Sequence, residues 1–438
     1  MSSPERRVVI TGMGLISPLG DSISQLWESI AQRRSGVRLL QSIPTEHFPS
    51  DFGGECGQFT GDIDNFGPLE KQLQRSIKKG LKLMCREIQL GVASAQLALT
   101  DAGLVPGAID PSRIGTMFGS DYIITQPAEF TTGVRECLSA DGQFDFDRWA
   151  AQGLTKVEPL WLLKYLPNMP ASHVAIYNDL QGPSNSITVR EASANLSIAE
   201  AATIIQRGSA DVMVAGSTGS RIQLLRTIHI ALQEQLADRN TTAAGGDPEK
   251  ACRPFDKDRT GMVLGEGAGS LILESLESAR RRGVKIWGEV IGYGSSCVAS
   301  VKGVPDCKTA LTNVIRGGLE TSGLKPAEIG HVHAHGLSSP KIDRDEAHAI
   351  AATLPDVPVT ALKSFMGNLG SGSGIVEMIS SIAAMENQQL FPVLNCESLD
   401  SECPIRLARP EDAPGDAFIN LNTTPQGQAS SVVIRAMK

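Results

Sequence analysis

Apolar positions along this 438-residue chain follow two alternating rhythms. The apolar or β-branched runs Arg7–Gly12, Ile114–Gly119, Ser186–Val189 and Asp211–Ala215 read as strands buried in a sheet. Between them lie helical spacings. Ser22–Arg33 sets Ile23, Leu26, Trp27 and Ile30 on one face, and Gln72–Ala102 carries a long helical pattern with Gly91 inside it. Ser193–Gly208 is a helix of small residues that stops at a glycine. The order then recurs, with strands at Ser270–Glu274, Trp287–Tyr293, His331–His333 and Val359–Ala361. Helices at Thr309–Ser322, Asp343–Leu354 and Gly374–Met385 alternate with them. A βαβαβ order that occurs twice predicts a duplicated α/β fold with buried mixed sheets. The halves should meet near Arg253, giving residues 1–252 and 253–438. Pro127–Pro159 breaks the rhythm with mixed charge and scattered aromatics, and reads as a cap or insertion over about 127–159.

Gly182–Ser193 has the most pointed local signature. A strand, a sharp turn and then a small-residue helix deliver one side chain to a helix start, a common way to place a nucleophile. The positive end of the helix dipole favours an anion there.

Composition narrows the function without naming it. At 41% hydrophobic and 20% charged, the chain can bury a large core. A net charge of -8 argues against a nucleic-acid partner. No apolar stretch reaches the roughly 20 residues that span a bilayer, and Met1–Arg7 lacks the pattern of a signal peptide. The eight cysteines are scattered with no C-x-x-C pair, which fits reduced thiols and a cytoplasmic setting. Ala243–Pro248 is glycine-rich but has no Lys-Ser/Thr ending and opens no helix, so it reads as a turn, not a phosphate cradle. No cofactor is expected.

Six strings carry a resemblance over nearly the whole chain. They are Arg7–Gly20, Ala210–Gly216, Arg253–Gly261, Leu264–Gly269, Ala334-His335-Gly336 and Lys363-Ser364-Phe365-Met366-Gly367-Asn368, joined by Gly182-Pro183-Ser184 before Glu191. With them the chain resembles the elongating 3-oxoacyl-ACP synthases, the ketosynthase branch of the thiolase superfamily. The resemblance implies a thiolase-like five-layer αβαβα fold of two pseudo-duplicated halves. It also implies a dimer formed through the Ser186–Val189 region, fatty acid or polyketide biosynthesis, and an acyl carrier protein or an acyl or malonyl thioester as partner.

Condensation in that family needs a thiolate, two enolate-stabilising donors, usually histidines, and an oxyanion hole of backbone N–H groups. By position, Glu191 stands where the family has its nucleophilic cysteine. His335 matches the first histidine. Asn368 replaces the second, keeping a donor but no acid–base capacity. Lys363 is retained as an ordering charge, and an internal Glu191–Lys363 ion pair would spare a lone buried carboxylate. Asp343 and Glu346 keep an acidic pair of the family. Ser338 and Ser339 follow Leu337 where the family presents pantetheine-contacting hydroxyls. Asn422–Ala429 matches the family's gating loop but keeps one glycine, Gly427, and no phenylalanine. His331 and His333 read as structural. The His331-x-His333-x-His335 spacing is not read as a metal site, having no acidic ligand nearby in sequence.

Three functions fit these departures. One is a non-condensing partner of an active ketosynthase, similar to a chain-length factor, in a heterodimer or a homodimer. The second is altered chemistry, a malonyl-thioester decarboxylase or a Glu191/His335 acid–base reaction. The third is condensation through another thiol.

Overall fold

The computed structural model describes residues 6–105, 107–239 and 246–437. Residues 243–245 of the glycine-rich turn fall outside them, as do residues 1–5 of the N-terminal segment. The strands are β1 (Val8–Ile16), β2 (Arg38–Leu39), β3 (Phe52–Gly54), β4 (Ile114–Ser120), β5 (Ser184–Thr188) and β6 (Val212–Ser220). They continue as β7 (Leu264–Ser275), β8 (Gly288–Cys297), β9 (His331–His333), β10 (Val359–Thr360), β11 (Ala417–Thr423) and β12 (Gln428–Arg435).

Strand order displays the duplication. One set runs β5-β4-β6-β7-β1 and the other β10-β9-β11-β12-β8. Within each set the first pairings are parallel and the later ones antiparallel, in the same sequence. The sets meet where Val8, Val9 and Ile10 of β1 pair with Val290, Glu289 and Gly288 of β8. The small-residue helix Ser193–Gln206 lies between them, touching β4 and β6 on one side and β8 and β12 on the other. Helix Ser373–Glu386 joins it in the middle. Helix Arg86–Asp101 covers the outside of the first set and Cys307–Ser322 the outside of the second. Two sheets and three helical layers give the αβαβα order. Helix Ser373–Glu386 is buried at every position but the last, as a helix enclosed between two sheets must be, whereas Ser193–Gln206 keeps a partly exposed side at Leu196, Ala199, Glu200, Thr203 and Gln206.

Several expectations change in detail. The single helix over Gln72–Ala102 is two, Lys71–Gly80 and Arg86–Asp101. Met84 is extended between them, and the Cys85 N–H leaves the helix to bond Lys164 O at 3.3 Å. The first helix lies on the surface with only Ile77 buried; the second packs under β1 and β7. β5 is not a buried strand. It ends the strand path with β4 as its one neighbour, and its polar Ser-Asn-Ser-Ile-Thr faces are exposed or half-buried. Half of Asn422–Ala429 is strand, not loop. β11 and β12 form a buried hairpin whose turn is Thr424–Gly427. The Arg253 division lies ahead of β7, which pairs with β1 and β6, so the chain passes to the second set between Ser275 and Gly288. In the 127–159 segment, helix Ala128–Glu136 places Phe130 edge-on to Trp161, with ring centroids 4.7 Å apart.

Candidate functional site

The carboxyl ends of the parallel strands from both halves converge on one buried point. From the first half, β5 leads into the turn Val189–Ser193, and β6 ends at Arg221. From the second, β9 leads to His335 and β10 leads through Lys363–Met366 to the turn Asn368–Ser373. Glu191, His335, Lys363 and Asn368 are each 1% exposed.

Glu191 is hydrogen-bonded through one carboxylate oxygen, while the other makes an ion-pair contact without a hydrogen bond. Its Oε1 accepts from Arg221 Nη2 and, at 3.1 Å, from Asn368 Nδ2. Its Oε2 lies 3.5 Å from Arg190 Nε. Glu234 binds the same two arginines, accepting from Arg190 Nη2 and lying 3.4 Å from Arg221 Nη1. Farther out, Asp121 pairs with Arg226, whose guanidinium sits 3.7 Å above the Tyr122 ring. Arg190, Arg221 and Arg226 thus balance Glu191, Glu234 and Asp121. Burial alone would push the Glu191 carboxyl up. Arg221 and Arg190 outweigh it and hold the group ionised, well below the usual carboxylate range.

Lys363 takes a different partner from the one expected. Its Nζ pairs with Glu377 Oε1, and no Glu191–Lys363 ion pair forms. Each charge has a counter-ion from its own side of the site: Glu377 from the second-half central helix, Arg221 from the end of β6. Lys363 Nζ also lies 3.2 Å from His335 Nδ1. An ammonium can only donate, so Nδ1 accepts and the ring proton sits on Nε2. Burial, reinforced by Lys363, keeps this imidazole neutral by pulling its pKa well down. Glu346 accepts the His335 and Gly336 N–H groups at 2.6 and 2.9 Å, and Asp343 accepts that of Leu337 at 2.9 Å. Burial pushes Glu346 up to about 8 and Asp343 to about 6.

The neighbouring histidines are structural, and their tautomers follow from their partners. His331 Nδ1 donates to Pro414 O at 2.7 Å, leaving Nε2 to accept from Ser381 Oγ at 3.0 Å. That hydroxyl accepts from His333 Nδ1 at 2.8 Å, and His333 Nε2 accepts the Leu362 N–H at 3.1 Å. All four ring nitrogens are thereby used by protein groups.

The other candidates lie apart. Ser338 Oγ accepts from Arg253 N at 3.1 Å, and Ser339 leads into helix Pro340–Thr353. Among the described residues, neither serine bonds Glu191, His335 or Asn368. Gly427 turns the β11–β12 hairpin at φ 83°, where a Cβ would stand 2.3 Å from Val298 O. Cys252 is the thiol beside the site, yet it is buried, donates to Lys363 O at 2.9 Å, and has its pKa pushed far up by desolvation.

Sequence reasoning missed Arg221, Arg190, Glu234 and Glu377. Two had a signal. Arg221 closes a buried apolar strand, and Glu377 is the one acid inside the apolar run Gly374–Met385. A charge in either place requires a buried partner.

Two duplicated strand sets around a central helical layer, with the site at the carboxyl ends of parallel strands from both halves, define a thiolase-like protein. Solved structures agree. A beta-ketoacyl synthase from Burkholderia phymatum superposes with a TM-score of 0.83 at 25% identity, covering 99% of this chain and 100% of that one. The ishigamide ketosynthase/chain length factor does so at 0.80 and 25%, with the same coverage. Residues 5–279 match the beta-ketoacyl synthase N-terminal domain and 287–397 its C-terminal domain, a division that falls between β7 and β8. The 3-oxoacyl-[acyl-carrier-protein] synthase 2 of Synechocystis is 33% identical over 407 residues, covering 92% of this chain and 90% of its own. The chain belongs to the beta-ketoacyl synthase family.

Proposed function

We propose that this chain is a non-condensing member of the family, working as the chain-length-factor-like partner of an active ketosynthase in fatty acid or polyketide biosynthesis. One observation carries the reading. Where condensation needs an accessible thiolate, Glu191 is 1% exposed and locked to Arg221. A carboxylate there repels a developing oxyanion. Cys252, the thiol beside the site, offers no ready replacement, since it is buried and its thiol is held protonated.

The acid–base alternative finds less support. A carboxyl depressed by two guanidinium groups is a poor general base, and the neutral His335 already accepts from Lys363. The exposed edge of β5 offers unpaired backbone groups to a second chain, either a copy or a paralogue. The name of the Synechocystis relative points to an acyl carrier protein. A carrier protein whose docking face is acidic would suit the basic surface around Lys71–Gly80. There Lys71, Arg75, Lys78, Lys79 and Lys82 are exposed, and none forms an ion pair among the described residues.

Mass spectrometry after incubation with acyl-ACP and malonyl-ACP tests the reading, with and without an intact Cys-His-His ketosynthase from the same genome. The expected result is no acyl adduct and no CO2 from this chain alone, and a stable complex with the ketosynthase. A stable adduct on the wild-type chain would overturn it.

A further inference from the structure

Seen from Glu191, the site is a receptor with its ligand already attached. Arg221 is 1% exposed and directs Nη2 at Oε1, Asn368 Nδ2 adds a second donor at 3.1 Å, and Arg190 Nε stands 3.5 Å from Oε2. Arg221 Nε, Arg190 Nε and Glu191 Oε2 are buried with no hydrogen-bond partner, so Arg190 meets the carboxylate by charge alone. The donors are independently placed. Asn368 Oδ1 accepts from Gly370 N at 3.1 Å, and Glu234 holds both arginines. Convergent guanidinium and amide donors in a dry site are the chemistry that recognises a small carboxylate.

We propose that Arg221, Arg190 and Asn368 form a carboxylate-binding cradle that this chain keeps filled with its own Glu191. The self-occupied cradle closes the site to free carboxylates, and removing the Glu191 side chain opens it to an anion of matching size. The inference goes beyond the partner-subunit reading and holds or fails without it, because it concerns only what fills this cavity. Ligand size follows from the atoms. Trimming glutamate to alanine removes Cγ, Cδ and both carboxylate oxygens, which is the heavy-atom set of acetate. Acetate therefore refills the space, formate underfills it, and hexanoate has no room.

The test uses the full chain as wild type, Glu191→Ala and Glu191→Ala/Arg221→Met, melted in sodium acetate, formate, hexanoate or chloride at matched ionic strength. Glu191→Ala should gain roughly 1–2 °C in Tm once acetate reaches about ten times its dissociation constant. The gain should saturate, weaken with formate and vanish with hexanoate. Wild type and the double variant should respond to acetate and chloride alike. An acetate-specific gain in wild type would overturn self-occupation. An equal gain in both variants, or none in a folded Glu191→Ala, would overturn the cradle. Should Glu191→Ala fail to fold in chloride, recovery of soluble protein by acetate but not chloride during refolding supports the proposal, and equal loss in both salts overturns it.

Discussion

The turn that opens helix Ser193–Gln206 and the turn that opens helix Ser373–Glu386 are one design executed twice. In the first, the Val189 N–H donates to Ser193 Oγ at 2.7 Å; in the second, the Leu369 N–H donates to Ser373 Oγ at 3.0 Å. Residue 190 has φ 52° and residue 370 has φ 64°. Each turn is a short 3-10 segment running into a buried central helix. What differs is the side chains. The second turn reads Gly370-Ser371-Gly372, with glycine in the left-handed position and a serine bonding Thr218 O. The first reads Arg190-Glu191-Ala192, putting a non-glycine residue in the left-handed position at a cost of about 1 kcal/mol or more. The duplicated frame thus fixes where a side chain arrives, while the residue carried there fixes the chemistry. In the first half that chemistry is an ion-pair lock, whose bonds to Glu234 and Glu191 offset the strain at Arg190.

Arg221→Met breaks the comparison hardest. It strands Glu191 and Glu234 with one fewer counter-ion in a dry site, and removing one partner of a buried pair costs ~3–5 kcal/mol. Urea unfolding should read that loss, and Glu191→Ala/Arg221→Met should lose less than the two single changes summed. Additive losses would mean that the pair is not a unit. The second-half turn has no such charge, so Ser371→Ala should cost only ~1 kcal/mol, a single hydrogen bond. The lock also has a pH signature. Glu191 is depressed in the folded state, so its stabilisation is present above the unfolded glutamate value of about 4.3 and is lost as pH falls below it. The Tm difference between wild type and Glu191→Gln should therefore hold above pH 5 and shrink on acidification from pH 5 to pH 3. A constant difference would show that Glu191 is not ionised in the fold.

Ser193→Ala and Ser373→Ala sharpen the comparison from the side of likeness. Each removes the acceptor of a partly or fully buried backbone N–H and a hydroxyl that donates onward, to Ser120 O at 2.9 Å or Asn368 Oδ1 at 3.3 Å, so each should cost ~1–2 kcal/mol. Agreement between the two confirms that the turns bear the same load. A gap above about 2 kcal/mol would show that the halves have diverged in mechanics as well as in chemistry.

Much of this was legible before any coordinates. The βαβαβ recurrence gave the duplication, and the motif strings placed Glu191, His335, Lys363 and Asn368, which the fold gathers at one point. The partners of Glu191 were not legible. Arg221 lies 30 residues from Glu191, and Glu377, the partner of Lys363, lies 14 residues beyond it; each was visible as a buried charge, but only the fold shows which charge it meets. The same physics hid the strand boundaries. β5 is polar because its edge has no second neighbour. The β11–β12 hairpin carries Asn420 and Asn422 in its buried face because Glu377 accepts from both, so its pattern looks like loop. Local periodicity reports which side of an element is dry, but it does not report which distant charge makes a polar residue tolerable there.

Gly370→Ala should have an effect as small as Ser371→Ala and isolates backbone from charge. At φ 64° an alanine costs about 1 kcal/mol relative to glycine. The added Cβ would meet Arg221 Nε at 3.3 Å, the end of a side chain that can yield a few tenths of an ångström. If the cost is purely conformational, it stays near 1 kcal/mol whether Arg221 is present or shortened to methionine. If the lock is packed so tightly that it cannot yield, Gly370→Ala costs more in wild type than in Arg221→Met, and the difference measures the rigidity with which the second turn supports the first. A coupling below about 0.5 kcal/mol in the double-mutant cycle is the expected outcome.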